Sequence, residues 1–97
     1  MNDPKETEML AGRIKQAEDV IWRRIGDDIV VIKDDGQSTH ILNKTAALIW
    51  ELCDGQRGID EIAAGLYERY DVSLEEARVD TRETIENLTK AGIIKYI

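Results

Sequence analysis

The chain has 97 residues, of which 42% are hydrophobic and 34% are charged, and this composition is typical of one globular domain rather than a disordered chain. Thirteen Lys and Arg against twenty Asp and Glu give a formal net charge of -7, which repels nucleic-acid phosphate and anionic lipid. The composition therefore argues against a nucleic-acid partner, and no uncharged run approaches the ~20 apolar residues of a membrane span.

The first part of the chain differs from the rest in its residue pattern, because the β-branched runs begin only at residue 20. Residues 1–19 are predicted to form an N-terminal extension, which is either disordered or a marginal helix that begins near Asp3 and Pro4. Residues 20–97 are predicted to form the folded domain.

Three short β-branched runs open this domain at residues 20–25, 29–33 and 38–42. Gly-Asp-Asp and Asp-Asp-Gly-Gln segments separate them at hairpin spacing, which predicts a three-stranded antiparallel meander. The middle run is apolar on both faces and is predicted to be the central strand. The third run is more polar, as expected of an edge strand.

Helical periodicity replaces strand alternation at Asn43, which is predicted to be the N-cap of a first helix. Asp60 is predicted to cap a second helix, and the Ser-Leu-Glu-Glu sequence at Ser73 predicts a capping box for a third, which runs to about Ala91 with Gly92 as its C-terminal cap. Residues 93–96 are predicted to form a short strand or an extended segment. The sequence thus predicts an α+β fold, a winged helix-turn-helix in which a three-stranded antiparallel sheet is followed by three helices.

Side chains suited to catalysis or metal binding are sparse. His40 and Cys53 are the only histidine and cysteine, their spacing fits no zinc site, and no Gly-rich phosphate loop or Ser-His-Asp set is present. We therefore expect a binding module with no catalytic residue, cofactor or metal, and we expect Trp22 and Trp50 to be core residues. One cysteine makes no internal disulfide and no signal peptide is evident, so a cytoplasmic location is expected.

Winged helices commonly bind DNA through the third helix, which makes a DNA-binding regulator an alternative function. The third helix here has five acidic and three basic residues. A net negative helix opposes phosphate binding, so DNA is not the expected ligand.

Three segments resemble the PqqD family of small peptide chaperones, also called precursor-peptide recognition elements. The most specific is Leu-Asn-x-Thr-Ala-x-x-Ile-Trp-Glu-Leu-x-Asp-Gly at residues 42–55, accompanied by Ile-Trp-Arg at 21–23 and Ala-Gly-Ile-Ile at 91–94. The resemblance covers roughly residues 14–97.

The resemblance implies a protein that performs no chemistry and binds the leader of a ribosomally made precursor peptide by strand addition. The leader is expected to add to the edge of the third strand, with its side chains between that strand and the third helix. The chaperone would then present it to a modifying enzyme, commonly a radical SAM protein, as in pyrroloquinoline quinone or related biosynthesis. The expected partners are the peptide and the enzyme, not nucleic acid or membrane. Two alternative functions are a regulator that binds DNA or protein, and a scaffolding subunit that forms a homodimer through the same edge.

The third helix has two flanks that could face such a peptide. We predict that the flank of Arg78 and Arg82 lines the groove, because two guanidiniums one turn apart can pair with acidic leader residues. The alternatives are that these arginines are merely solvated, or that the opposite flank of Asp80, Thr84 and Asn87 lines the groove. The predicted peptide-binding residues are Ser38, Thr39, His40, Ile41, Leu42, Arg78, Arg82 and Ile85.

Overall fold

A computed structural model describes residues 12–34, 36 and 38–97 of the protein. The elements in chain order are the strands β1 (Ile14–Gln16), β2 (Val20–Ile25), β3 (Asp28–Lys33) and β4 (Thr39–Leu42), the helices α1 (Lys44–Leu52), α2 (Ile59–Arg69) and α3 (Leu74–Lys90), and the strand β5 (Ile94–Tyr96). Strands β2, β3 and β4 form an antiparallel sheet in that order, and the three helices follow it. The predicted α+β winged helix-turn-helix is confirmed.

The central strand of the sheet is β3, as its apolar sequence predicts. Its residues Ile29 and Val31 are fully buried against the helices. The alternate residues Val30 and Ile32 lie on the opposite, outer face, and Ile32 is exposed. The sheet therefore packs one face on the core and leaves the other uncovered by the described chain.

Two of the three predicted helix caps are confirmed. The side chains of Asn43 and Ser73 each accept a hydrogen bond from the backbone N–H three residues further on, at 3.0 Å. The third is wrong, because α2 begins at Ile59 with Gly58 as its N-cap. Asp60 instead lies in the first turn, where its carboxylate interacts favourably with the positive end of the helix dipole.

Strand β1 was not predicted. It pairs with β5 on one side, and on the other it bonds the loop between α1 and α2: Ile14 N–H donates to Arg57 O at 2.9 Å, and Gln16 N–H to Cys53 O at 3.0 Å. Ile14 is fully buried in the core. The predicted disorder or marginal helix is therefore wrong at this strand, and the part of that prediction that covers residues 1–11 lies outside the described residues. The predicted strand near the C-terminus is confirmed as β5.

The two tryptophans have different environments. Trp50 is fully buried and is the largest core side chain, as predicted. Trp22 packs edge-to-face on it, with ring centroids 6.3 Å apart, but remains 42% exposed, so its assignment to the core is wrong. Trp22 lies on the edge strand β2, and no further strand of the described chain covers its open side. Within the described range, no helix has the length and hydropathy needed to cross a membrane.

Candidate functional site

Strand β4 has one edge that no strand of the described chain pairs with; we call it the free edge. Lys33 N–H donates to Ser38 O at 3.0 Å, so this pair is a hydrogen-bonded one. Hydrogen-bonded and non-hydrogen-bonded pairs alternate along an antiparallel ladder, and the register therefore places His40 in a hydrogen-bonded pair with β3. The N–H and C=O groups of Thr39 and Ile41 point the other way, toward the free edge.

The side chains of β4 alternate between the two faces of the sheet. Thr39 and Ile41 lie on the outer face, and Ile41 is 72% exposed. His40 is half-buried on the inner face, and its Nε2 has no hydrogen-bond partner within the described part of the chain. Leu42, also on the inner face, is buried. A strand added to the free edge would place every second side chain on the inner face, beside these two residues.

A groove of about 450 Å³ begins at the Leu42 end of β4. It runs between the first turn of α1 and the middle of α3, and both Leu42 and Leu88 on its lining are 5% exposed. The lining comprises Leu42, Asn43, Thr45, Ala46, Asp80, Glu83, Thr84, Asn87 and Leu88.

The side of α3 that lines this groove is the flank that the sequence analysis gave as the alternative. Asp80, Thr84 and Asn87 line the groove, whereas Arg78 and Arg82 are exposed and do not. The predicted arginine wall is therefore wrong. The two flanks are equivalent in helical spacing, and which one faces the sheet depends on how the chain crosses from β4 to α3, which spacing does not determine.

One further predicted contact fails for a different reason. Ile85 is 1% exposed and belongs to the hydrophobic core. It lies on the core-facing side of α3 and does not line the groove. Of the predicted strand residues, Leu42 lines the groove, while Thr39 and Ile41 present backbone groups at the free edge. Ser38 precedes β4 and uses its carbonyl to bond β3.

Sequence reasoning missed the wall formed by Asn43, Thr45 and Ala46. Asn43 was recognised only as a helix cap. The available signal was its position directly after an edge strand, because a helix capped there must place its first turn beside the end of that strand. Glu83 and Leu88 were also missed.

The groove is acidic. Asp80 and Glu83 are exposed, and neither forms an ion pair with another described residue. Lys44, at the start of α1, does not line the groove; its ammonium lies over the Tyr70 ring, 5.2 Å from the centroid. The groove therefore offers two uncompensated carboxylates above an apolar base.

Among the described residues, no three His, Cys, Asp or Glu side chains cluster as a metal site would require. Cys53 is fully buried, and its thiol donates to Ile49 O at 3.2 Å. Burial, together with the neighbouring Asp54 carboxylate, raises the pKa of Cys53 to about 12. A thiol held in its neutral form is a poor nucleophile, so Cys53 acts as a small apolar core residue.

We expect native Cys53 to resist alkylation at neutral pH and to make folding sensitive to alkaline pH. An unfolded cysteine has a pKa of ~8.5, so above this pH the unfolded chain loses a proton that the folded chain keeps until about pH 12. Stability then falls as pH rises, by about 2–3 kcal/mol near pH 10.5. Urea unfolding between neutral pH and pH 10.5 measures this fall, which should be smaller in Cys53→Ala. An equal fall in both proteins would contradict the assignment.

The fold and the site together define a winged-helix domain with an open sheet edge next to an apolar-based groove. Over residues 28–94 the chain matches the family model described as Coenzyme PQQ synthesis protein D (PqqD). The chain belongs to the PqqD family. It is also 37% identical over 76 residues to the PqqA binding protein of Methylococcus capsulatus (strain Bath), covering 78% of this chain and 77% of that protein.

Three solved structures share the fold. TbiB1 in complex with the TbiA(beta) leader peptide has a TM-score of 0.75 at 20% identity, covering 84% of this chain and 94% of that one. Lasso peptide synthetase B1 complexed with its leader peptide also gives 0.75, at 19% identity and with 86% and 98% covered. The heterocyclase TruD gives 0.64 at 14% identity, and the match spans 89% of this chain but 12% of the heterocyclase. At these identities the similarity establishes the fold alone.

Proposed function

We propose that the protein binds a precursor peptide as an additional antiparallel or parallel strand on the free edge of β4, with alternate side chains directed into the groove. The observation that carries this proposal is the pairing pattern of β4, which leaves the N–H and C=O groups of Thr39 and Ile41 available at the edge. Main-chain hydrogen bonds supply affinity in strand addition, and adjacent pockets supply specificity.

The comparisons support a peptide ligand. The 37% identical relative is named for binding PqqA, and two proteins with the same fold were solved with leader peptides. Membership of the PqqD family links the precursor to coenzyme PQQ synthesis. The role is one of binding, and the buried thiol of Cys53 supplies no nucleophile.

The outer face of the sheet supports a second step, in which the bound precursor is presented to a modifying enzyme. Exposed apolar side chains cover this face: Ile21 is 71% exposed, Ile25 60% and Ile41 72%. A precursor strand added at the free edge would direct its other side chains onto the same face, directly beside Ile41. An enzyme docked there would contact carrier and peptide together, and because the precursor is made by ribosomes we place this step in the cytoplasm.

Titration of the ¹⁵N-labelled protein with the PqqA peptide of Methylococcus capsulatus tests peptide binding. The largest amide shifts and the strongest new protection from exchange are expected at Thr39, Ile41 and Leu42, with smaller shifts at Thr84 and Asn87. Tyr67, exposed on α2 and outside the groove, should not respond. Shifts confined to α2 would contradict the proposed site.

Homodimerisation through the same edge is the competing use of β4. Sedimentation measured with and without the peptide separates the two functions. If the edge serves only for self-association, the protein sediments as a dimer, the Thr39 and Ile41 amides are protected from exchange without peptide, and the peptide adds no further protection.

A further inference from the structure

We propose that the part of the precursor seated in the groove carries basic side chains, and that Asp80 and Glu83 select for them. This inference rests on the proposed function, because it assigns a chemical class to the peptide that would occupy the groove. It reverses the expectation from sequence, which placed arginines on this wall and predicted an acidic leader.

The first step of the argument is the uncompensated charge of the helix wall. Asp80 and Glu83 lie three residues apart on α3 and line the same groove. The ion pairs of the described chain leave both out, and the ion pair that α3 does form joins Lys90 to Glu86 at 3.3 Å. A ligand that brings no positive charge would leave both carboxylates of this wall without a partner.

The opposite wall of the groove, formed by the start of α1, contributes a weaker positive electrostatic field. The first turn of α1 carries the positive end of a helix dipole, equivalent to roughly half an elementary charge. The Asn43 side chain already accepts a hydrogen bond from one backbone N–H of this turn. Lys44 directs its ammonium over Tyr70 rather than into the groove. Two full negative charges therefore outweigh the dipole, and the protein as a whole adds to them with its net charge of -7.

The shape of the groove favours lysine or arginine over a small cation. Leu42 and Leu88 form an apolar base, and the carboxylates of Asp80 and Glu83 stand on the exposed rim. Long basic side chains bury their methylene stems on apolar surface while their charged heads remain in water. A lysine or arginine on the inward face of the added strand would make both contacts at once.

A substitution scan of the PqqA peptide of Methylococcus capsulatus tests this inference. Each position is replaced in turn by Lys, Gln or Glu, and affinities are measured by fluorescence anisotropy against three proteins. These are the wild type, the D80N/E83Q double variant, and an E68Q/D71N control, which changes the net charge equally at exposed residues outside the groove. Exchange protection at Thr39 and Ile41 reports independently that the peptide occupies the edge.

At one or more positions the wild type should prefer Lys over Glu by roughly 1.5- to 5-fold, the range expected for an exposed ion pair. The D80N/E83Q variant should lose this preference, the E68Q/D71N control should keep most of it, and the preference should shrink in about 0.5 M salt. Peptide that protects Thr39 and Ile41 but shows no such position, or prefers Glu there, overturns the charge selection and leaves peptide binding intact. Absence of any protection at Thr39 and Ile41 overturns the proposed function and this inference with it.

Discussion

Thr39→Pro and Ile41→Pro are each expected to weaken precursor binding by roughly 10- to 100-fold while the domain stays folded. Their N–H groups point to the free edge, so proline removes a donor that β3 does not use. The bound peptide then buries a carbonyl without a partner, and an unmet buried hydrogen bond costs about 1–3 kcal/mol.

His40→Pro is the matched variant, because His40 lies between the other two and its N–H points toward β3. Proline there removes a hydrogen bond of the ladder, and we expect a loss of about 1–3 kcal/mol in the free energy of unfolding, the range for leaving a buried hydrogen-bonding group without its partner. Proline at three consecutive residues thus separates an effect on peptide binding from an effect on folding, because the backbone N–H groups point alternately to the free edge and to β3.

Circular dichroism with urea unfolding measures the stability of the three variants, and anisotropy measures peptide affinity for those that fold. The reverse outcome, with His40→Pro folded and Thr39→Pro or Ile41→Pro unfolded, would show that the ladder has the opposite phase. Undiminished affinity in both edge variants would reject strand addition at β4.

Local chemistry explains which parts of this fold the sequence predicts. The hairpin turns, the apolar central strand and the caps at Asn43 and Ser73 depend on residues that are adjacent in sequence, and all were predicted. The cap of α2 was missed because glycine at Gly58 provides no side chain to recognise, whereas Asp60 two residues later is a common cap residue.

The groove is a feature that local sequence patterns predict only in part. Helical spacing correctly grouped Asp80, Thr84 and Asn87 on one flank of α3 and Arg78 and Arg82 on the other. It carried no information on which flank faces β4, because that depends on the packing of α3 against the rest of the core. Because the two flanks differ in charge, the orientation of α3 also decides which charge the groove presents to a ligand, and the observed groove presents carboxylates.

Strand β1 is the second feature that local reasoning could not find, and it leads to the other large prediction. Its three residues contain a single apolar side chain, Ile14, and its hydrogen bonds reach partners far along the chain, in β5 and in the loop between α1 and α2. Neither alternation nor turn chemistry marks so short a strand. The contacts nevertheless fasten the start of the domain to its end.

We expect Ile14→Ala to lower the free energy of unfolding by about 2–5 kcal/mol, the range for truncating a fully buried aliphatic side chain. In a domain of this size each kcal/mol lowers the melting temperature by roughly 4–8 °C, so a loss of ten degrees or more is expected. Arg13→Ala is the control, since Arg13 is exposed and its change should stay within about 0.5 kcal/mol. Equal melting temperatures for Ile14→Ala and Arg13→Ala would show that β1 is dispensable. A large difference would mean that the hydrophobic core begins before residue 20, and that β1 holds β5 and the loop that joins the first two helices in place.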